Sequence, residues 1–301
     1  MIPHVLILAN SEIIQRRVLP ALEAAGVGRI DIASRRGHDS IARPAGVVGL
    51  DFKDYADALD RSAASLVWIS TVNSLHAELV AAALASGRDV IVDKPATTDP
   101  QESLRLVGKA RSAGRLLAEA TVYAYHPQIA AVQAAFAAAG SVPNHVVAAF
   151  SYPPLPPHNF RHDPALGGGA LLDLGPYAVS LGRVFFDAMP QRITCETLPG
   201  DIGFGLLMRY PGGRTVTGHF GAVSGYVNQA TVIGPDMVVS IDRLFTTAPD
   251  APASITARLH SAPLSITVPP ADAFLEFLVA VFAARGGAGA ERFGEDMAAD
   301  A

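Results

Sequence analysis

Cysteine is nearly absent from this chain: Cys195 is the only one in 301 residues. A single thiol excludes an internal disulfide and any metal site built from several cysteines. It fits a reducing, cytoplasmic setting. Histidine does not make up the difference, because His145, His158, His162, His219 and His260 show no metal-ligand spacing, so no metal is expected. Charge is also scarce, at 17% of residues, and its balance is acidic, with a net charge of −5 and an isoelectric point near 6.0. That argues against a nucleic-acid or anionic-membrane partner, both of which need a basic field. Long hydrophobic runs are missing too. The apolar stretch within Met1–Ala9 is about five residues long, too short for an export signal or a membrane span. Leu79–Leu84 is alanine-rich, amphipathic and closed by Gly87, as a core helix would be. Half of the residues are nevertheless hydrophobic, enough for one large or two ordinary buried cores.

Through about residue 120 short apolar runs alternate with helical patterns, the signature of a parallel sheet with crossover helices. Strands are expected at Val5–Ala9, Ile30–Ser34, Val47–Gly49, Leu66–Thr71, Asp89–Val92 and Leu116–Ala120. Helices are expected over Ile13–Ala25, Asp54–Leu59, from Asn73 or Ser74 to Gly87, and from Pro100 to Ala113. After Tyr125 the pattern changes. One more helix, Pro127–Ala139, precedes long alternating strands at Val146–Phe150, Ile202–Tyr210, Arg214–Phe220 and Val227–Ile233, with Tyr210–Arg214 as a hairpin turn. The expected fold is therefore α/β: an N-terminal Rossmann domain over residues 1–122, then a C-terminal α/β domain over 123–301 with a large mixed or antiparallel open sheet. Tyr152–Asn159 reads as a stiff proline-rich connector, with a substrate-side wall as the alternative, and Gly286–Ala301 as a loose tail.

Glycine is missing where a Rossmann cofactor site uses it most. The fingerprint G-x-G-x-x-G gives a tight turn and lets backbone approach the pyrophosphate. The corresponding run here is Ala9, Asn10, Ser11, Glu12, Ile13 and Ile14, with no glycine at any of the three positions. Ser11 adds a side chain where phosphates should lie, Ile14 adds bulk, and Glu12 would repel an anion unless it points outward. The end of the second strand is more favourable. An acid there binds the ribose of NAD, and arginine accommodates the 2′-phosphate of NADP. Ser34, Arg35 and Arg36 offer no acid, so NADP is expected before NAD unless the arginines are merely solvated.

Three groups carry candidate chemistry. Lys94 follows an apolar strand, and Asp173 and Tyr177 lie one helical turn apart after the glycines Gly167–Gly169. If they converge they form a proton-relay set for carbonyl or alcohol redox chemistry; otherwise they are unrelated surface groups. A phenol with an ordinary pKa near ~10 is a poor acid or base at neutral pH. A nearby ammonium favours the phenolate and stabilises a developing alkoxide. Asp173 either orients a substrate hydroxyl or stabilises the start of its helix.

Four stretches together resemble the Gfo/Idh/MocA oxidoreductases. Ser70-Thr-Val-Asn-Ser-Leu-His76 is similar to that family's T-P-N-x-x-H turn, with Val72 in place of proline. Gly87 to Pro95 is similar to G-K-H-V-x-x-E-K-P, Glu119 to Gln128 to E-A-F-M-Y-R-x-H-P-Q, and Gly167 to Tyr177 to G-G-G-x-L-x-D-x-G-x-Y. The resemblance implies hydride transfer at a sugar or nucleotide-sugar substrate, with Lys94 contacting the nicotinamide ribose and reacting oxygen and Tyr177 exchanging the proton. It also implies that Thr71, Asn73, His76 and Glu119 join residues 9–13 and 34–36 around the cofactor. Tyr123 and His126 would line the substrate side with Asp173. His76, in the first turn of a helix, is alternatively structural. Ala124 stands where a related branch has arginine. Relatives continue into a final helix packing back between the domains, which implies a shortened terminus in this chain. The alternating strands suggest a homo-oligomer formed through the C-terminal sheet. The eroded glycine loop favours a competing reading, a member without net redox activity: an accessory protein, or a lyase or epimerase with tightly held cofactor.

Overall fold

Strands buried on both faces must be apolar at nearly every position, because helices cover the sheet above and below. Four-residue runs such as Val5–Leu8 and Leu66–Ile69 meet that condition, and all their residues are buried. The computed structural model describes residues 2–35 and 42–301. In it β1 (Val5–Leu8), β2 (Ile30–Ala33), β3 (Asp51–Phe52), β4 (Leu66–Ile69), β5 (Asp89–Val92) and β6 (Leu117–Glu119) form one parallel sheet. Its order is β3-β2-β1-β4-β5-β6, the doubly wound arrangement whose carboxyl ends bind ligands at the switch between β1 and β4. The helices α1 (Leu19–Ala24), α2 (Tyr55–Arg61), α3 (His76–Ala85) and α4 (Pro100–Ser112) connect the strands, with Asp54 and Asp99 as side-chain N-caps of α2 and α4. The third strand lies later than the expected Val47–Gly49. Val48 forms only an isolated bridge to Arg29 and is 63% exposed, whereas Phe52 is buried and sets the pairing.

The second sheet has eight strands: β7 (His145–Ser151), β8 (Arg192–Thr197), β9 (Gly203–Arg209), β10 (Thr215–Gly221), β11 (Val227–Ile233), β12 (Met237–Asp242), β13 (Ser254–Leu259) and β14 (Ala262–Leu264). Their order is β14-β13-β12-β11-β7-β10-β9-β8. Only the β7–β10 pair is parallel. Alternate residues of these strands, among them Val146, Ala148, Phe150, Val216 and Phe220, share one core with α5 (Pro127–Ala138) and α6 (Ala170–Phe186). The hairpin expected at Tyr210–Arg214 joins β9 to β10, with the Tyr210 N–H donated to the Arg214 carbonyl at 2.9 Å.

The chain divides into two compact units, Met1–Thr121 with Phe274–Ala301, and Val122–Ala273. The first boundary lies a residue from the expected 122/123. Residues 274–301, expected with the second domain, instead complete the first unit. There α7 (Ala273–Ala284) sets Phe277 edge-on to Trp68 at 6.2 Å, and Arg285 donates from Nε to the Asp89 carboxylate at 2.8 Å. The expected loose tail is α8 (Ala290–Asp300), which packs on α4 and β6. Its apolar residues Phe293 and Met297 are four apart and buried. The glycine and alanine around them hid that spacing. No described helix is long and apolar enough to cross a membrane.

Candidate active site

The loop after β1 takes the shape a glycine would give without having one. Ala9 has φ of +100°, in the left-handed half of backbone space that side chains disfavour. Each residue that looked obstructive is turned aside. Ser11 Oγ lies 2.7 Å from Ser70 Oγ and accepts the Ile14 N–H at 3.3 Å. Ile14 is fully buried, and Glu12 accepts from Arg16 at 2.8 Å with its side chain 80% exposed. Asn10 accepts from Gln15 at 2.5 Å, while Ile13 is exposed. At the end of β2, Ser34 is buried. The Arg35 guanidinium stacks 4.6 Å above the Tyr55 ring and 3.6 Å from Asp54. Arg36 lies outside the described residues.

Lys94 sits half-buried in a turn held on every side by its own unit. Before it, the Asp93 carboxylate accepts from Trp68 Nε1 at 2.9 Å and from Ser70 Oγ. After it, the Pro95 carbonyl lies 2.8 Å from His76 Nδ1, and the Ala96 N–H donates to Glu119 at 2.6 Å. His76 is wholly buried, with Nε2 3.1 Å from the Thr71 carbonyl. Burial holds its imidazole below the ordinary value against the pull of the Pro95 carbonyl. It ties the loop after β4 to the turn after β5. Asn73 is likewise buried, and the Thr71 hydroxyl donates to the Val72 carbonyl at 3.3 Å.

Glu119 also accepts from the Thr121 hydroxyl at 3.1 Å. Burial, and after it the Asp300 carboxylate, push the Glu119 carboxyl up to about 7. The folded protein thus keeps a proton that the unfolded chain releases near 4.5. Its stabilising effect is complete below 4.5 and lost as pH rises through about 7. Glu119→Gln should therefore gain on wild type by about 3 kcal/mol between pH 4 and pH 8. Urea midpoints at both pH values measure the change; an equal offset at the two would mean Glu119 does not titrate in that range.

In the second unit, Tyr177 rises from α6 into an aromatic nest. Its ring centroid lies 5.2 Å from Phe150, 5.3 Å from Phe245 and 6.0 Å from Tyr123. Tyr123 is 1% exposed, and its hydroxyl lies 2.7 Å from Ser180 Oγ. Its ring packs against Tyr177 from within the core. His126 is similarly buried and caps α5, with Nδ1 accepting the Gln128 N–H at 3.2 Å. The proline at the first position of that helix leaves Gln128 as the next backbone donor.

Asp173 is the largest departure. Instead of standing open to a substrate hydroxyl, it accepts from Tyr152 at 2.6 Å and pairs with Arg161 Nε at 2.9 Å. Burial, and then Asp173, raise the Tyr152 phenol well above its ordinary range, so it remains the donor. Arg161 escaped the sequence reading because no motif marks it. The glycines after it are the signal. A Cβ on Gly168 would lie 2.6 Å from the Arg161 carbonyl oxygen, and one on Gly169, at φ +114°, would strike Asp201. The run permits close approach of the Arg161 backbone to the start of α6.

Comparison with known proteins gives this arrangement a class. Residues 16–121 match an oxidoreductase family with an NAD-binding Rossmann fold, and residues 140–239 match the GFO/IDH/MocA C-terminal domain. The chain belongs to the Gfo/Idh/MocA oxidoreductases. Among its relatives is a dTDP-3,4-didehydro-2,6-dideoxy-alpha-D-glucose 3-reductase of Actinomadura kijaniata, 34% identical over 185 residues. That match covers 60% of this chain but only 55% of the relative. D-xylose 1-dehydrogenase (NADP(+)) 2 of Haloferax volcanii is 27% identical over 276 residues, covering 89% of this chain and 84% of that enzyme. A solved 3-ketoreductase from Actinomadura kijaniata, in complex with NADP and TDP-benzene, superposes with a TM-score of 0.86 at 26% identity. It covers 98% of this chain and 94% of its own.

Proposed function

We propose that this protein is an NADP-dependent oxidoreductase that transfers a hydride to or from a sugar-type carbonyl or alcohol, with a nucleotide-linked keto-sugar as substrate. The observation that carries the reading is the β1 loop. Ala9 keeps the left-handed turn, while Ser11, Glu12 and Ile14 are each directed elsewhere. The glycine-free loop was the sequence feature favouring a member without redox activity, and its left-handed turn at Ala9 supports the redox reading instead. The residues present fit a dinucleotide: the backbone of 9–11 would hold the pyrophosphate, and Arg35 the 2′-phosphate. Bound NADPH would supply the hydride. Tyr177 donates the proton to the carbonyl oxygen. Lys94, in the turn after β5, offers an ammonium to the nicotinamide ribose or to a developing oxyanion. The relatives that act on a dTDP-sugar, and the solved neighbour that holds TDP-benzene, favour the nucleotide-linked substrate.

Titration of nicotinamide fluorescence tests both the cofactor and its choice. NADPH should saturate the protein below ~1 mM. Arg35→Ala should weaken NADPH about 10–100-fold and NADH hardly at all, the scale for losing a charged phosphate contact. Absence of saturable binding would remove the redox reading; equal losses for both coenzymes would show that Arg35 does not touch the 2′-phosphate.

A further inference from the structure

The proline-rich connector and the glycine run have a joint product, the placement of Arg161. Its backbone is fixed in a short helical turn, Phe160–His162, where the Asn159 side chain accepts the Arg161 N–H at 3.0 Å. Its carbonyl accepts the Gly169 N–H at 2.9 Å across a gap that would admit no Cβ at Gly168. Its guanidinium lies 4.9 Å from the Phe160 ring and pairs through Nε with Asp173. Asp173 in turn takes the Tyr152 hydroxyl on its other oxygen.

A carboxylate so buried is costly unless its partners are well placed. Here it orients a cation, one helical turn from Tyr177. A guanidinium has five N–H donors in a rigid fork. The Asp173 pairing runs through Nε, and the side chain is 34% exposed. A guanidinium bound through Nε keeps its terminal N–H donors on a planar, charged edge, the geometry that matches phosphate oxygens two at a time. The same loop carries His158 and His162, both exposed, and its one acid, Asp163, is engaged as the cap of the next turn, accepting the Ala165 N–H at 2.9 Å.

We propose that Arg161 binds the diphosphate of a nucleotide-linked substrate, with Asp173 as the positioning residue that fixes its guanidinium. The inference rests on the nucleotide-sugar reading above and extends it to a residue outside that family's motifs. Calorimetric titration of the NADP-loaded protein with thymidine diphosphate, and with thymidine as the phosphate-free control, tests it. Arg161→Gln should weaken thymidine diphosphate about 10–100-fold and leave thymidine and NADP binding unchanged. Arg161→Lys, which retains a charge for Asp173, should fall between wild type and Arg161→Gln. It decides the matter, by a loss of at least about threefold, should the glutamine variant fail to fold. Wild-type affinity for thymidine diphosphate in the variants would overturn the role of Arg161 alone. Failure of the wild-type protein to bind thymidine diphosphate at ~1 mM, with NADPH still bound, would overturn the nucleotide-sugar reading with it and leave the redox reading standing.

Discussion

Tyr177→Phe is expected to lower turnover about 10²–10⁴-fold while NADPH affinity stays within about twofold of wild type. The substitution removes one oxygen and keeps the ring. That ring is held by Phe150, Phe245 and Tyr123 at centroid distances of 5.2, 5.3 and 6.0 Å, contacts that phenylalanine makes equally well. The loss should therefore appear in the chemical step rather than in folding or coenzyme binding. Single-turnover oxidation of bound NADPH by a keto-sugar nucleotide isolates that step from product release. Wild-type turnover in the variant would sink the proton-donor assignment, and with it the reason for the aromatic nest.

How far the sequence could be read depended on the range of the interactions involved. Strands of the first sheet are apolar at most positions, with Asp31, Asp89 and Glu119 as exceptions in the longer ones, so their places were legible from composition over four or five residues, and only the two-residue β3 slipped. The strands β8, β12, β13 and β14 were not anticipated. Arg192–Thr197 is exposed along its whole length, so no alternation marks it. In Met237–Asp242 alternate residues are buried, but Val238 on the exposed face is apolar as well, which blurs the pattern in the sequence. The tail was misjudged because α8 gains its stability from α4 and β6, about 180 residues earlier in the chain.

The site shows the same limit. Lys94 and Tyr177 could be picked out because each stands in a short motif. Their supports were legible only in part: His76 and Glu119 stood in motifs but were expected at the cofactor, and nothing marked Trp68 and Ser70, at the end of β4, as partners of the Lys94 turn. Asp173 was visible as a carboxylate one turn before Tyr177, yet its partners come from residues 152 and 161. Spacing shows which groups share a helix face; it cannot show that a distant arginine already holds one of them. The doubt raised by the glycine-free loop had the same origin. Residue type predicted obstruction by Ser11 and Glu12, and a hydrogen bond to Ser70 and an ion pair with Arg16 remove it.

Lys94→Met should lower kcat about 10²–10³-fold, the range measured when one pre-organised donor to a developing oxyanion is lost. Methionine keeps an unbranched stem of similar length, so packing is little disturbed. The surrounding turn is fixed by bonds that do not involve the lysine side chain: Asp93 to Trp68 at 2.9 Å, Pro95 to His76 at 2.8 Å and Ala96 to Glu119 at 2.6 Å. Removing the ammonium should thus leave the backbone in place and subtract only its charge and donors. Lys94→Arg should recover little, because a planar fork cannot occupy the position of a compact ammonium. The split between constants is decisive. A lysine that serves only the nicotinamide ribose would raise the KM for NADPH and spare kcat. One that acts on the reacting oxygen lowers kcat with a smaller change in KM. Steady-state kinetics at saturating NADPH, with the keto-sugar nucleotide varied, separates the two, and an unchanged kcat would confine Lys94 to holding the coenzyme.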